Sequence, residues 1–257
     1  MADKALLITI GDYPTKPLKG PPHDYDDWNG LISGAPFNFA VTPLQEKTAT
    51  KTAMTAAITK LLAGVADGDR LLLYFSCHGT RVADINGIHD GVVGYPAAGV
   101  GAPKVSDVLF DSELESLIVN SGLRNTTAKM TVVLDCCHAA GVASPLDILL
   151  LRQVDTSRFI SVDMTGSAPI AAVTISQLRE PHWLAATGAK STAYEGDVNG
   201  QIRGLFSYAF ANAVRTAAPK KINHSKAMVA AQMFINPRHA DQNTDQRGPR
   251  KSGDFPA

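Results

Sequence analysis

The 257-residue chain is 45% hydrophobic with a mean hydropathy of −0.02, which is apolar material enough for one substantial core in an ordinary globular protein. Lys plus Arg and Asp plus Glu both total 24, and the resulting zero net charge argues against the basic field that nucleic-acid binding needs. The three cysteines (Cys77, Cys136 and Cys137) are odd in number with two adjacent, so a disulfide scaffold is disfavoured and a reducing, cytoplasmic setting is expected.

In chain order, Lys4 to Ile10 (KALLITI) is an apolar run ending at Gly11-Asp12 and predicts a buried strand and turn. It is too short for a leader core, and no stretch approaches the ~20 apolar residues of a membrane span. Asp24 to Ile32 predicts a short helix, Phe39 to Leu44 a strand, and Thr50 to Val65 a helix with Met54, Ile58, Leu61 and Leu62 on one face. After the Asp67-Gly68-Asp69 turn, Arg70 to Ser76 (RLLLYFS) predicts the next buried strand. Asp84 to Tyr95 reads as a hairpin or loop, Asp111 to Val119 as a helix with acidic residues at its positive end, and Lys129 to Leu134 (KMTVVL) as a strand. Residues 146–181 read as one long loop. His182 to Thr187 predicts a fifth strand, Phe206 to Val214 and Lys226 to Phe234 two helices, and 241–257 a flexible tail. Strands alternating with helices predict an α/β fold, with a mostly parallel central β-sheet and helices on both faces, formed by residues 1–257 as a single domain.

Chemistry concentrates at two of the strand ends, Ser76-Cys77-His78-Gly79 and Asp135-Cys136-Cys137-His138. Parallel sheets bind ligands at the carboxyl ends of their strands, so a His leaving one strand and a Cys leaving another can meet there. A Cys beside a His is a nucleophilic pair, and the glycines Gly79 and Gly141 let backbone amides approach a carbonyl closely. The Gly79 and Cys137 N–H groups are therefore candidates for an oxyanion hole. Zinc is disfavoured, because adjacent side chains on an extended strand point apart and the two-to-four-residue ligand spacing is absent. Asp135 could also cap a turn and Asp24 a helix N-terminus. His23, His89, His182, His224 and His239 follow no recognisable spacing.

These motifs resemble the "S-G-H-G" and "D-C-C-H-S-G" signatures of caspase-like cysteine peptidases, closest to metacaspases and orthocaspases. Ala5 to Ile8 with Leu18-Lys19-Gly20 and His23-Asp24, then Ala193-Tyr194-Glu195 and Gly204-Leu205-Phe206-Ser207, extend the similarity in the family's order. The resemblance implies a caspase–haemoglobinase fold and a polypeptide substrate, with Cys137 as nucleophile, His78 as its acid/base partner and Cys136 as a buried neighbour. Chemistry of this kind requires no cofactor; the charge balance and the lack of a long apolar run predict no nucleic-acid or membrane partner, and of the oligomeric states, which the sequence does not fix, a monomer is favoured.

The resemblance also makes Asp135, Asp24 and Ser76 substrate-binding residues. An Asp at position 135, where caspases that cleave after Asp carry Gln, implies cleavage after Arg or Lys, since a desolvated carboxylate attracts a cation and repels an anion. Arg152 and Arg158, with Arg179 beyond them, lie in the long loop where the family cuts itself; Arg152 and Arg158 suit such a pocket. Calcium as an activator is implied through Asp111 and Glu113, although Ser112 interrupts the family's acidic pair and Ser144 stands where another Asp is expected. Cys77 stands where the family has Gly beside the His. A larger side chain there would crowd the oxyanion side, and the alternative reading is a weak or inactive caspase-fold binding or signalling protein.

Overall fold

The computed structural model describes residues 2–137, 157–165, 167–170, 181–187, 191–218, 222–247 and 255. The central sheet has the order β11-β8-β7-β3-β1-β2, built from β1 (Asp3–Thr9), β2 (Ala40–Gln45), β3 (Arg70–Ser76), β7 (Lys129–Asp135), β8 (His182–Ala185) and β11 (Asp245–Arg247). The first five of these pair in parallel, and only β11 runs antiparallel, against β8. The apolar runs become strands because a sheet covered on both faces buries every side chain of a central strand.

The pleat sorts those side chains into two cores. On β1, Leu6 and Ile8 face one side while Ala5 and Leu7 face the other; on β3, Leu71, Leu73 and Phe75 oppose Leu72 and Tyr74. The first side is covered by α2 (Lys51–Leu62) and α3 (Asp111–Asn120) through Met54, Ile58, Leu114 and Ile118. The second is covered by α1 (Pro21–Ile32), α4 (Leu205–Ala217) and α5 (His224–Ile235) through Trp28, Phe206, Phe210 and Ala231. Thr50 caps α2, its side chain accepting from the Ala53 N–H.

The hairpin expected around Asp84–Tyr95 is β4 (Gly79–Asp84) with β5 (Gly87–Val93), which with β6 (Val108–Phe110) forms a separate antiparallel sheet. A second hairpin, β9 (Glu195–Val198) and β10 (Gln201–Gly204), precedes α4 and was not expected. It and β6 were hard to read because their strands are short and polar or interrupted by glycine.

Where a flexible tail was expected from 241, the structure places the edge strand β11, and Phe255 is buried against Trp28, Phe37, Phe210 and His224. Backbone pairing and aromatic burial outweigh the polar composition there. Phe255→Ala should therefore lower the unfolding free energy by about 3 kcal/mol in urea titrations, as truncation of a buried aromatic does, whereas an undocked tail would leave it unchanged.

Candidate active site

β3 and β7 are in-register parallel neighbours, with Ser76 opposite Asp135. Continuing one residue past that pair places Cys77 beside Cys136, and a second step places His78 beside Cys137. The pleat then decides which cysteine can serve the histidine. Cys77 and Cys136 lie in the core under α2 and α3, hydrogen-bonded to one another, whereas Cys137 lies on the opposite side with α1 and α4. Cys77 thus points away from the site. The crowding expected of it beside His78 does not occur, because consecutive residues of an extended chain face opposite ways.

His78 and Cys137 are fully buried. His78 Nε2–H donates to the Lys16 carbonyl at 2.7 Å. A carbonyl can only accept, so this bond fixes the tautomer and leaves Nδ1 as the nitrogen able to take a proton. Nδ1 has no hydrogen-bond partner among the described residues, and the Tyr13 ring packs on the imidazole at 4.8 Å. Burial, the largest influence, pushes the His78 pKa down to about 4, against the carbonyls of Lys16 and Arg158, which favour the protonated ring. The Cys137 thiol accepts from the Ala193 N–H at 3.0 Å and donates to the Ala193 carbonyl at 3.4 Å. Burial pushes this thiol up to about 12. With both groups buried, the pair is therefore a neutral thiol and a neutral imidazole.

Beside this pair is a buried acidic pocket, and the chain's own Arg158 fills it. The Arg158 guanidinium meets Asp24 at 2.6 Å, Asp135 at 3.3 Å and Glu195 at 3.4 Å, and its Nη1 donates to Ser76 Oγ and to the Asp135 carbonyl, each at 2.8 Å. Gly20 and Gly204 make the room: a Cβ on Gly204 would stand 2.2 Å from Asp135 Oδ2 and 2.6 Å from the guanidinium, and one on Gly20 would be 2.6 Å from Glu195 and 2.7 Å from the guanidinium. The backbone around Arg158 is extended. Its N–H donates to the Ala193 carbonyl at 2.9 Å, and its carbonyl accepts from the Gly79 N–H at 2.8 Å. Ser157 bridges antiparallel to Tyr194, and the Ile160 N–H donates to the Gly79 carbonyl. Gly79 admits no side chain at all, because a Cβ would lie 1.7 Å from the Cys137 carbonyl oxygen.

Of the residues singled out in the sequence, the structure brings together Cys137, His78, Gly79, Asp135, Asp24, Ser76 and Arg158. Asp24 is not a helix cap. It lies inside the first turn of α1, where its Oδ1 accepts from the Gly204 N–H and its Oδ2 from Ser76 Oγ. Asp135 Oδ2 accepts from the Ser207 N–H near the start of α4. Glu195, which sequence reasoning left without a role, completes the pocket and is held by the N–H groups of Lys19 and Gly20.

Asp111 and Glu113 lie apart, on the first turn of α3, with Glu113 bound to Lys51 and to the Phe110 N–H. Among the described residues no group of three or more His, Cys, Asp or Glu could hold a metal ion, and no helix is long and apolar enough to cross a membrane. Arg152, Arg179 and His138 fall outside the described residues.

A mostly parallel six-stranded sheet with a Cys and a His emerging from adjacent strand ends defines an α/β protein with a buried thiol and imidazole at its carboxyl edge. The family model of the caspase domain matches residues 2–246, so the chain belongs to the caspase-domain family of peptidases. Among solved structures it is similar to the crystal structure of protein GSU0716 from Geobacter sulfurreducens, at 18% identity and a TM-score of 0.69, covering 98% of this chain and 95% of that one. No curated protein matches.

Two buried groups give opposing pH dependences. His78, depressed to about 4 from 6.5, binds its proton less readily when folded. It therefore removes stability as pH falls from 6.5 to 4. Asp135, raised to about 6 from 3.8 chiefly by burial, binds its proton more readily when folded and removes stability as pH rises through 3.8 to 6. Between pH 4 and 6 the two oppose one another. Asp135→Asn, which imitates the protonated acid, should uncover the His78 contribution: the variant should lose roughly 3 kcal/mol relative to wild type on going from pH 6 to 4, measured by urea unfolding at each pH. A wild-type-minus-variant difference that stays constant over this range would contradict the assignment.

Proposed function

We propose that the chain is a cysteine endopeptidase that cuts after Arg, and more weakly after Lys, with Cys137 as nucleophile and His78 as acid/base. In the closed state its own Arg158 occupies the P1 position, that of the residue whose carbonyl is attacked. The observation that carries the reading is the pose of Arg158: a fully buried cation among Asp24, Asp135 and Glu195, with its carbonyl on the Gly79 N–H. Arginine suits this pocket better than lysine, because its planar fork reaches several acceptors at once.

In the reaction, the Cys137 proton passes to His78 Nδ1 and the thiolate attacks the P1 carbonyl carbon, forming the C–S bond. The carbonyl electron pair moves to the oxygen held by the Gly79 N–H. Collapse of this intermediate breaks the C–N bond, and the proton on His78 goes to the departing amine. Water then hydrolyses the thioester and restores the thiol. Aligned with Arg158 at P1, the bond presented for cutting is Arg158–Phe159, which makes Arg158 the self-cleavage site. The alternative, a caspase-fold protein that binds without cutting, draws support from the complete burial of Cys137 and His78. Calcium activation through Asp111 and Glu113 is a separate proposal that rests on the family resemblance.

A fluorogenic panel with Arg, Lys, Asp or Gln at P1, run with calcium and with a chelator, tests the reading. Cleavage should be confined to Arg and Lys and abolished in Cys137→Ala. Gly204→Ala, which places a methyl against Asp135, should cut Arg turnover by at least about tenfold. Thiol alkylation followed by mass spectrometry should label Cys137 slowly in the intact chain and faster once the 158–159 bond is cut. Unreacted Arg peptides under every condition would favour the binding-only alternative.

A further inference from the structure

Lys16 takes no part in holding the Arg158 guanidinium, yet it reaches both sides of the bond that follows it. Its ammonium donates to the Phe159 carbonyl at 2.8 Å and to Ser157 Oγ at 3.2 Å. Its own carbonyl orients His78. Its backbone sits in the left-handed region at φ 54, uncommon for a residue with a Cβ. A strained, half-buried cation spanning a scissile bond is placed for recognition and not for packing.

We propose that Lys16 is a specificity-determining residue. Its ammonium clamps the carbonyl of the residue after the cut and selects, at the residue before the P1 arginine, a side chain that accepts a hydrogen bond, aspartate or glutamate above all. The inference rests on reading residues 157–160 as an occupant bound in the manner of substrate. In that pose Ser157 is the residue before P1, pinned in an extended conformation by its bridge to Tyr194 and by the Arg158 N–H on the Ala193 carbonyl. Alternation along an extended strand sends the side chains of Ser157 and Arg158 to opposite sides, one to Lys16 and one to the acidic pocket.

The serine hydroxyl offers Lys16 a neutral acceptor. A carboxylate at that position would make a charge-assisted bond roughly twice as strong, and a lysine would face a like charge. The contact to the Phe159 carbonyl is to main chain and so is independent of sequence. The preferred peptide is thus an acidic residue followed by arginine, with the two charges read by oppositely charged walls.

The test uses internally quenched peptides with Arg at P1, Phe after it, and Asp, Ser, Ala or Lys before it, on the full-length chain. Wild type should prefer Asp over Lys by at least about tenfold in kcat/KM. Lys16→Met should bring the two within about twofold, and Lys16→Glu should invert the preference. Both variants keep the backbone carbonyl that holds His78, so the Ala peptide should still be cut, at a rate lowered by loss of the clamp. A variant affecting only folding would lower all four peptides together, and Lys16→Met carries the test if Lys16→Glu fails to fold. Cleavage after Arg with no preference at the preceding position, or a preference unmoved in both variants, overturns the role of Lys16 while leaving the peptidase reading intact. Absence of any Arg cleavage overturns that reading and this inference with it.

Discussion

The in-register parallel pairing of β3 with β7 is the constraint on which the site depends. Because Ser76 stands opposite Asp135, every chemically distinctive residue at the two strand ends falls into one of two sets by parity alone. Ser76, Asp135 and Cys137 lie toward α1 and α4, through Asp24, Ser207 and the second core, whereas Cys77 and Cys136 face α2 and α3. A one-residue slip in either strand would exchange these sets, setting Cys136 toward the histidine and turning Asp135 away from the pocket. The apolar side chains of the same strands oppose such a slip, since Leu72, Tyr74 and Val133 would trade cores with Leu73, Phe75 and Leu134. Packing thus enforces the geometry of the site.

The acidic pocket is costly to bury. Three carboxylates with low exposure face one guanidinium, and removing one partner from such a group commonly costs about 3–5 kcal/mol. The backbone lowers that cost. Asp24 receives the Gly204 N–H, Asp135 the Ser207 N–H, and Glu195 two further N–H groups. Asp135 still rises to about 6, chiefly because burial disfavours its charged form, with the Asp24 carboxylate adding like-charge repulsion. On the proposed reading, a pocket lined in this way favours a cation, and the chain's own arginine supplies it.

Much of this was legible in the residues. KALLITI, RLLLYFS and KMTVVL declared their strands because a doubly covered sheet needs unbroken apolar runs, and the two strand-end motifs placed the thiol and the imidazole. The parity argument was also available, since the offsets from Ser76 and Asp135 alone separate Cys137 from Cys136. Glu195 was less accessible. It lies at the start of a short polar strand and reaches the pocket only through the path of the chain after β8. The Lys16 side chain had no signal at all, because its position follows from a left-handed turn that a lysine does not announce. Arg158 was visible as a residue suited to an acidic pocket, but that it lies in the pocket follows from tertiary structure. Short elements such as Val108–Phe110 and Asp245–Arg247 escaped because three residues carry too little periodicity to be read.

The same burial that seats Arg158 also sets the protonation of the groups beside it. With the 157–160 segment in place, water is excluded and desolvation is the largest influence on both His78 and Cys137, driving the histidine below neutrality and the thiol well above it. A thiolate and an imidazolium are then both unfavourable, so on the proposed reading the seated segment disables the nucleophile as it blocks the pocket. Displacing the segment would admit water, and the two pKa values would move toward one another, because desolvation holds them apart. On the proposed reading, occupancy of the pocket and reactivity of the thiol are therefore one equilibrium. The Arg158 main chain is the physical link between them: its carbonyl sits on the Gly79 N–H, and its N–H shares the Ala193 carbonyl with the Cys137 thiol.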